Sequence, residues 1–382
     1  MTVSRVVPYP AEGWRSRIGD LAARTQLDRG LVMIFVASRL LVLLAAFTAE
    51  TLIPRNPALD PGVDAPILRS LTSWDGWYYL GIVRDGYQAG PVSGEYENVA
   101  FPPLYPAVVR ALSAPFPGSE GIVAILVANV AFIAALSLLV QLGTPYLGRR
   151  RARLAAALLI IYPFASVFTM AYTESLFLLL MLTAFFSAER GQPMRTGVAL
   201  GLAVLCRVQG IALLLPLAII LLRRNGWRPT PSTAWLLLGP LSAAAYFLFV
   251  ASVTGSSTGY LDAQQAWGRE GLGGASADGT IAAMFTPYQA ALLLTLLASV
   301  FLLVFVRADR MRPEYWLVPA LFIAAELSSG SLEAVGRITM LAFPFVWIIA
   351  NRGAAVRRMW PIVSAGLFTL ISVLQFGGYW VP

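Results

Sequence analysis

The sequence predicts an all-α polytopic membrane protein with about eleven transmembrane helices, and three observations carry that prediction. Of its 382 residues, 58% are hydrophobic and only 13% are charged, against roughly 25% charged in an average soluble domain. Apolar runs recur along most of the chain, each near the ~20 residues that cross a bilayer as a helix. Between these runs the arginines are dense in alternate connections and sparse in the others, as in a chain that threads a membrane.

Residues 1–30 precede the first span. They carry five arginines but no apolar core followed by a small-residue cleavage site, so no removable signal peptide is read there. Spans are expected at 31–53, 121–144, 154–171, 175–189, 196–206 and 209–222, then at 233–254, 287–306, 314–328, 338–350 and 361–380. Residues 31–382 thus read as a single transmembrane domain whose longest connection, 54–120, holds interfacial helices. Pro163, Glu174, Gly201, Arg207, Gly210 and Pro216 interrupt the stretch from 160 to 222. Broken helices are tolerated at membrane depth only where protein or a wet cavity satisfies the freed backbone groups.

Arginine bias sets the orientation. Twenty arginines lie in residues 1–29 and beside the connections near 150, 190, 225, 310 and 355; seven lie on the other side, and Arg39 falls inside the first span. The arginine-rich side is expected to be cytoplasmic, with the N-terminus inside and, for eleven spans, the C-terminus outside.

All 28 basic residues are arginine, and histidine is absent. A histidine general base is therefore excluded. A zinc site is disfavoured too, because imidazole is a usual ligand and the chain has one cysteine. Cys206 has no partner for an intrachain disulfide. The net charge of +8 is dispersed through short loops, so no nucleic-acid partner is expected.

Five separate segments bring ionisable groups to the expected non-cytoplasmic side: Asp75 and Asp85, Glu174, Arg207, the stretch with Gln264, Trp267 and Arg269, and finally Glu333 with Arg337. Charges at membrane depth are costly enough to be functional candidates. In "SWDGWYYLGIVRDGY" (Ser73 to Tyr87), helical spacing puts Trp74, Trp77 and Tyr78 on one face and Asp75, Tyr79 and Ile82 on another. An aromatic belt anchoring an interfacial helix accounts for the rings, with Asp75 favouring the helix dipole. A carboxylate at an apolar boundary is alternatively a good base. Glu174 and Arg207 form a structural ion pair on one reading. On the other, Glu174 orients an acceptor while the Arg207 fork binds phosphate oxygens. Arg337 either snorkels to the interface or binds phosphate. Arg269, beside Glu270, reads as a solvated residue or a third phosphate ligand. Asp85, in Asp-Gly, reads as a turn residue, and Arg39 snorkels or pairs with a neighbouring helix.

"SWDGWYYLGIVRDGY" followed by "NVAFPPLYPAVVRAL" resembles the first external loop of the PIG-V mannosyltransferases, members of the GT-C glycosyltransferases. The resemblance continues through "YPFASVFTMAYTESLFLLL" (Tyr162 to Leu180), "CRVQGIALLLPL" (Cys206 to Leu217), "QQAWGR" (Gln264 to Arg269) and "GRITMLAFPF" (Gly336 to Phe345). Two departures stand out. Pro103 replaces a more usual phenylalanine, which bears on loop packing. Val208-Gln209 replaces a Ser- or Thr-containing pair, which leaves the acceptor open.

The resemblance implies a GT-C-like fold that takes a sugar, mannose in this family, from a polyprenyl-phosphate carrier on the non-cytoplasmic face of a membrane, here expected to be a bacterial cell membrane. It implies Asp75 as the base. Trp74, Tyr78, Tyr79, Glu174, Arg207, Gln264, Trp267, Arg269 and Arg337 are candidate substrate-binding residues. The expected partners are the carrier-linked donor, a lipid- or glycan-linked acceptor and membrane lipids. The scheme requires no cofactor or metal. The competing reading is a lipid or sugar transporter or flippase whose charges line a path. It would favour internal repeats and midplane charges, and neither is evident in the sequence.

Overall fold

A computed structural model describes residues 29–54, 56, 65–93, 97–266, 287–308 and 311–379. The described residues are helical, with no strand among them. The first helix, α1 (Arg29–Leu52), precedes the long connection, which contains α2 (Pro66–Thr72), α3 (Asp75–Asp85) and α4 (Leu104–Ser113). Next come α5 (Glu120–Leu147), α6 (Arg149–Ile160), α7 (Glu174–Glu189), α8 (Pro193–Cys206), α9 (Leu214–Arg224), α10 (Leu238–Thr254) and α11 (Gly259–Ala266). The chain then runs through α12 (Pro287–Ala308), α13 (Pro313–Ser329), α14 (Val335–Leu341), α15 (Pro344–Asn351) and α16 (Ala354–Phe376).

Among the described residues, four helical stretches are long and apolar enough to cross a membrane: Arg29–Leu52, Glu120–Leu147, Pro231–Thr254 and Ala354–Phe376. The protein is an integral membrane protein. Several expected spans are more broken than their hydropathy suggested. The stretch 154–171 is helical only to Ile160, after which Pro163 breaks it and a short 3-10 turn, Ala165–Phe168, follows. The stretch 209–222 begins as a 3-10 turn, Val208–Leu213, and the 338–350 run divides at Ala342 and Phe343, ahead of Pro344. Proline lacks the amide hydrogen that would continue a helical ladder, which accounts for the breaks beside Pro163 and Pro344.

Helix α7 packs against α5 and α8, α8 against α10, α6 against α15, and α16 against α1. The central packing is aromatic. Phe132 and Phe168 stack with ring centroids 4.1 Å apart, and Phe185, Tyr315, Phe343 and Trp347 form a second fully buried group. Glycine permits the close approach of α5 and α15, since a Cβ at Gly143 would lie 3.0 Å from Nε1 of Trp347. Large apolar side chains such as Met33, Leu44, Val130, Leu248 and Ile362 point outward, an arrangement suited to lipid rather than water.

Arg39 is half-buried and pairs with a neighbouring segment rather than, among the described residues, with a carboxylate. Its Nη1 donates to Oγ1 of Thr169 at 2.5 Å, and its guanidinium lies 4.4 Å from the Phe35 ring centre and 5.1 Å from that of Phe132. A second set of buried charges, which sequence reasoning missed, sits at the far end of α7 from Glu174. Glu189 accepts from Tyr146, Tyr315 and Arg312, while Glu314 receives two parallel 2.8 Å bonds from Arg223. Buried charge is therefore not confined to one end of the bundle.

Candidate active site

Asp75 is the first residue of α3, and Glu174 the first of α7. Both carboxylates stand where exposed amide groups and the helix dipole favour negative charge. Arg207 caps the C-terminus of α8, where a cation is favoured, and its extended backbone (φ −151°, ψ 126°) turns the chain out of the helix. Arg337 comes from the seven-residue α14. Four separate helices thus converge on two acids and two arginines.

The four side chains alternate in charge. Arg207 Nη1 donates to Glu174 Oε1 at 2.6 Å and to Thr173 Oγ1 at 2.9 Å. Arg337 Nη1 donates to Asp75 Oδ2 and lies 3.5 Å from Glu174 Oε1. The Glu174 side chain is fully buried, those of Arg337 and Arg207 are 6% and 10% exposed, and that of Asp75 is 20% exposed. Asp75 is therefore the member open to a reactant. Glu174 Oε2 and Arg337 Nε are buried without a hydrogen-bond partner among the described residues. Unmet hydrogen-bonding capacity of this kind is costly.

Aromatic hydroxyls and backbone geometry fix the cluster. The backbone N–H of Asp75 donates to the Tyr172 hydroxyl at 3.1 Å, and the Arg337 guanidinium stands 5.8 Å from the centre of the same ring. The Tyr79 hydroxyl is 3.3 Å from Thr173 Oγ1, which ties the buried face of α3 to the turn before α7. Trp74 precedes Asp75 with φ 59° and ψ −130°, a conformation costing on the order of 1–3 kcal/mol for a residue with a side chain. Its indole Nε1 donates to the Gln375 carbonyl at 3.2 Å, anchoring the strained turn to α16.

The geometry brings Asp75, Tyr79, Glu174, Arg207 and Arg337 together, with Trp74 as their backbone support. The ion pair expected between Glu174 and Arg207 is present, and Arg337 is enclosed rather than snorkelling. Tyr78 faces elsewhere: it stacks on Phe101 with centroids 5.3 Å apart and lines a cavity of about 320 Å³ with Trp77, Arg84 and Tyr87. Gln264 belongs to α11, which packs on α10 and the 3-10 turn Asn98–Ala100. Trp267 and Arg269 lie outside the described residues. Sequence reasoning did not single out Tyr172 or Thr173. Both are in the quoted segment around Glu174, but apolar patterning carries no sign of which hydroxyls turn inward.

Comparison with solved structures finds partial likenesses. ArnT from Cupriavidus metallidurans bound to undecaprenyl phosphate aligns with a TM-score of 0.48 and 14% identity, over 92% of this chain and 77% of that one. An Archaeoglobus fulgidus oligosaccharyltransferase tethered with an acceptor peptide aligns with a TM-score of 0.49 and 12% identity, over 92% of this chain and 56% of that one. The chain thus spans little more than half the length of the archaeal enzyme. No curated protein matches the chain. The family model described as mannosyltransferase (PIG-V) matches residues 29–226, just over half of the sequence, and takes in Asp75, Glu174 and Arg207. The chain belongs to the PIG-V mannosyltransferase family.

Proposed function

We propose that this protein transfers mannose from a polyprenyl-phosphate carrier to an acceptor hydroxyl on the non-cytoplasmic side of the membrane, with inversion at the anomeric carbon. The observation that carries this reading is the bond from Arg337 to Asp75 within a buried cluster of alternating charge. It joins a partly exposed carboxylate to a cation whose guanidinium fork suits a phosphate. No metal is part of the scheme.

In the resting site Arg337 occupies Asp75. A donor phosphate, richer in acceptor oxygens than one carboxylate, competes for the guanidinium fork. Once the phosphate holds Arg337, Asp75 is free to accept the acceptor's proton. The acceptor oxygen then bonds to the anomeric carbon as the carbon–oxygen bond to phosphate breaks. The bonding electrons leave with the phosphate, whose growing charge Arg337 stabilises. Displacement on one face converts a β-linked carrier sugar into an α-glycoside. Glu174, held by Arg207, which Thr173 in turn anchors, keeps Arg337 positioned during the exchange.

The 31–382 domain would cross the membrane about eleven times in a GT-C-like arrangement, with residues 1–30 cytoplasmic and this cluster at the opposite face. The arginine asymmetry of the sequence supports that orientation. Reconstitution with polyprenyl-phosphate mannose labelled in the sugar tests the reading. Label should pass to a new α-glycosidic bond and leave free carrier phosphate. Movement of intact donor across the bilayer with no new bond would instead identify a flippase.

A further inference from the structure

At the Glu189 end of the bundle a cavity of about 1040 Å³ is lined by six arginines. Arg149, Arg150, Arg151 and Arg153 come from the start of α6, and Arg357 and Arg358 from the first turns of α16. No aspartate or glutamate lines it among the described residues. The remaining lining is largely apolar and includes Ile34 of α1, Leu147 of α5 and Leu154 of α6.

Local structure explains how this assembly forms. Gly148, at φ 76° and ψ 155°, turns the chain sharply between α5 and α6, so the arginine run follows directly on an apolar helix. Arg151 Nη1 donates to Asn351 Oδ1 at 2.7 Å across 200 positions of the chain, which fastens the α6 start beside the end of α15. Arginines at span boundaries are common and, taken singly, need only reach water. That habit does not explain why two distant segments converge on one concave, partly apolar space. Like charges gathered there repel, and an anion relieves the repulsion.

We propose that this cavity binds the phosphate headgroup of an anionic phospholipid, with its acyl chains running along Ile34, Leu147 and Leu154. Guanidinium forks match phosphate oxygens in bidentate geometry. Basic pockets between membrane helices are suited to acidic headgroups. The apolar lining favours a lipid over a free anion. None of its lining residues belongs to the Asp75 cluster, so lipid retention can be read without the transfer reaction.

Lipid retention on the purified full-length protein tests the proposal. The protein is mixed with equal dioleoylphosphatidylglycerol and dioleoylphosphatidylcholine, and the lipid that stays bound is counted by native mass spectrometry. The wild type should retain phosphatidylglycerol at least about tenfold over phosphatidylcholine, given several guanidiniums near one phosphate. Replacing three exposed arginines together (Arg149→Gln, Arg150→Gln and Arg358→Gln) should remove most of that preference, whereas lysine at the same positions, keeping charge without the fork, should keep part of it. Equal retention of the two lipids, an unaltered preference in the glutamine variant, or displacement of the lipid by millimolar inorganic phosphate would each overturn it. If the glutamine variant fails to fold, raised salt applied to the wild type separates the same outcomes. Phosphatidylglycerol should dissociate as salt rises, and salt-independent retention would reduce the contact to apolar adhesion.

Discussion

Arg337 donates from Nη1 to Oδ2 of Asp75 across 262 positions of the chain. One nitrogen of a buried guanidinium thus occupies the only carboxylate of the cluster that solvent reaches appreciably, with Glu174 Oε1 a further 3.5 Å contact. Base and phosphate ligand hold one another until a donor separates them. That relationship makes the roles of the four charges distinguishable by experiment.

Arg207 and Glu174 are expected to be principally architectural. Their side chains are 10% and 0% exposed, and removing one partner of such a pair costs about 3–5 kcal/mol. Arg207→Ala should therefore lower the melting temperature clearly. Adding Glu174→Gln should cost much less than the sum of the single changes. Additive effects in a thermal-shift cycle would mean that the two side chains act separately.

Arg337 should behave differently. Arg337→Lys keeps the charge and loses the fork, whereas Arg337→Ala loses both. Donor use should fall in two steps, with alanine worse than lysine, visible as a rise in the donor KM and a fall in kcat. An unchanged donor KM in the alanine variant would remove Arg337 from phosphate binding.

Gly336 sits beside that arginine, and a Cβ there would come within 2.6 Å of Cδ1 and Cε1 of the buried Phe164 ring. Gly336→Ala should displace α14, costing about 1–3 kcal/mol by overpacking and lowering transfer along with it. Adding Phe164→Leu should restore part of both. A fully stable and active Gly336→Ala variant would show that α14 has room the packing does not suggest.

The proposed orientation makes its own prediction. In a Cys206→Ser background, single cysteines at the exposed positions Ser93 and Ser257 should react with an impermeant thiol reagent added to intact cells. Cysteines at the exposed Asn225 and Ala354 should react only after permeabilisation. The reverse pattern would put Asp75 on the cytoplasmic side, and no carrier-lipid donor arriving from outside could then reach it.

Much of this architecture is legible in hydropathy, because a bilayer demands apolar length whatever the detailed packing. The 31–53 and 121–144 runs return as Arg29–Leu52 and Glu120–Leu147. The chain between 160 and 214 is harder to read, since apolar residues there serve both helix and turn. Pro163 and Pro344 mark the breaks, but the register that turns Tyr172, Thr173 and Glu174 inward depends on contacts with α3, α8 and α14. Asp75, Glu174, Arg207 and Arg337 can each be singled out as costly charges. That Arg337 meets Asp75 as well as Glu174 cannot be read, because they lie far apart in sequence and single-chain patterning holds no record of distant pairs. The Glu189 network stayed hidden for a related reason. Arg312 looks like an ordinary boundary charge until Tyr146 and Tyr315 are seen to lie against it.

The most direct test is the turnover of Asp75→Asn beside the wild type, with labelled polyprenyl-phosphate mannose and a hydroxyl acceptor in the same membranes. Asparagine preserves the size of the side chain and its bond from Arg337 but cannot take the proton. The variant should bind donor and stay folded, losing only part of the contribution that its partly exposed ion pair makes. Its rate of α-mannoside formation should fall by about 10²–10⁴-fold, the usual loss when a general base is removed. Transfer at the wild-type rate would contradict the account, because the one solvent-accessible carboxylate of the cluster would then have no part in the reaction.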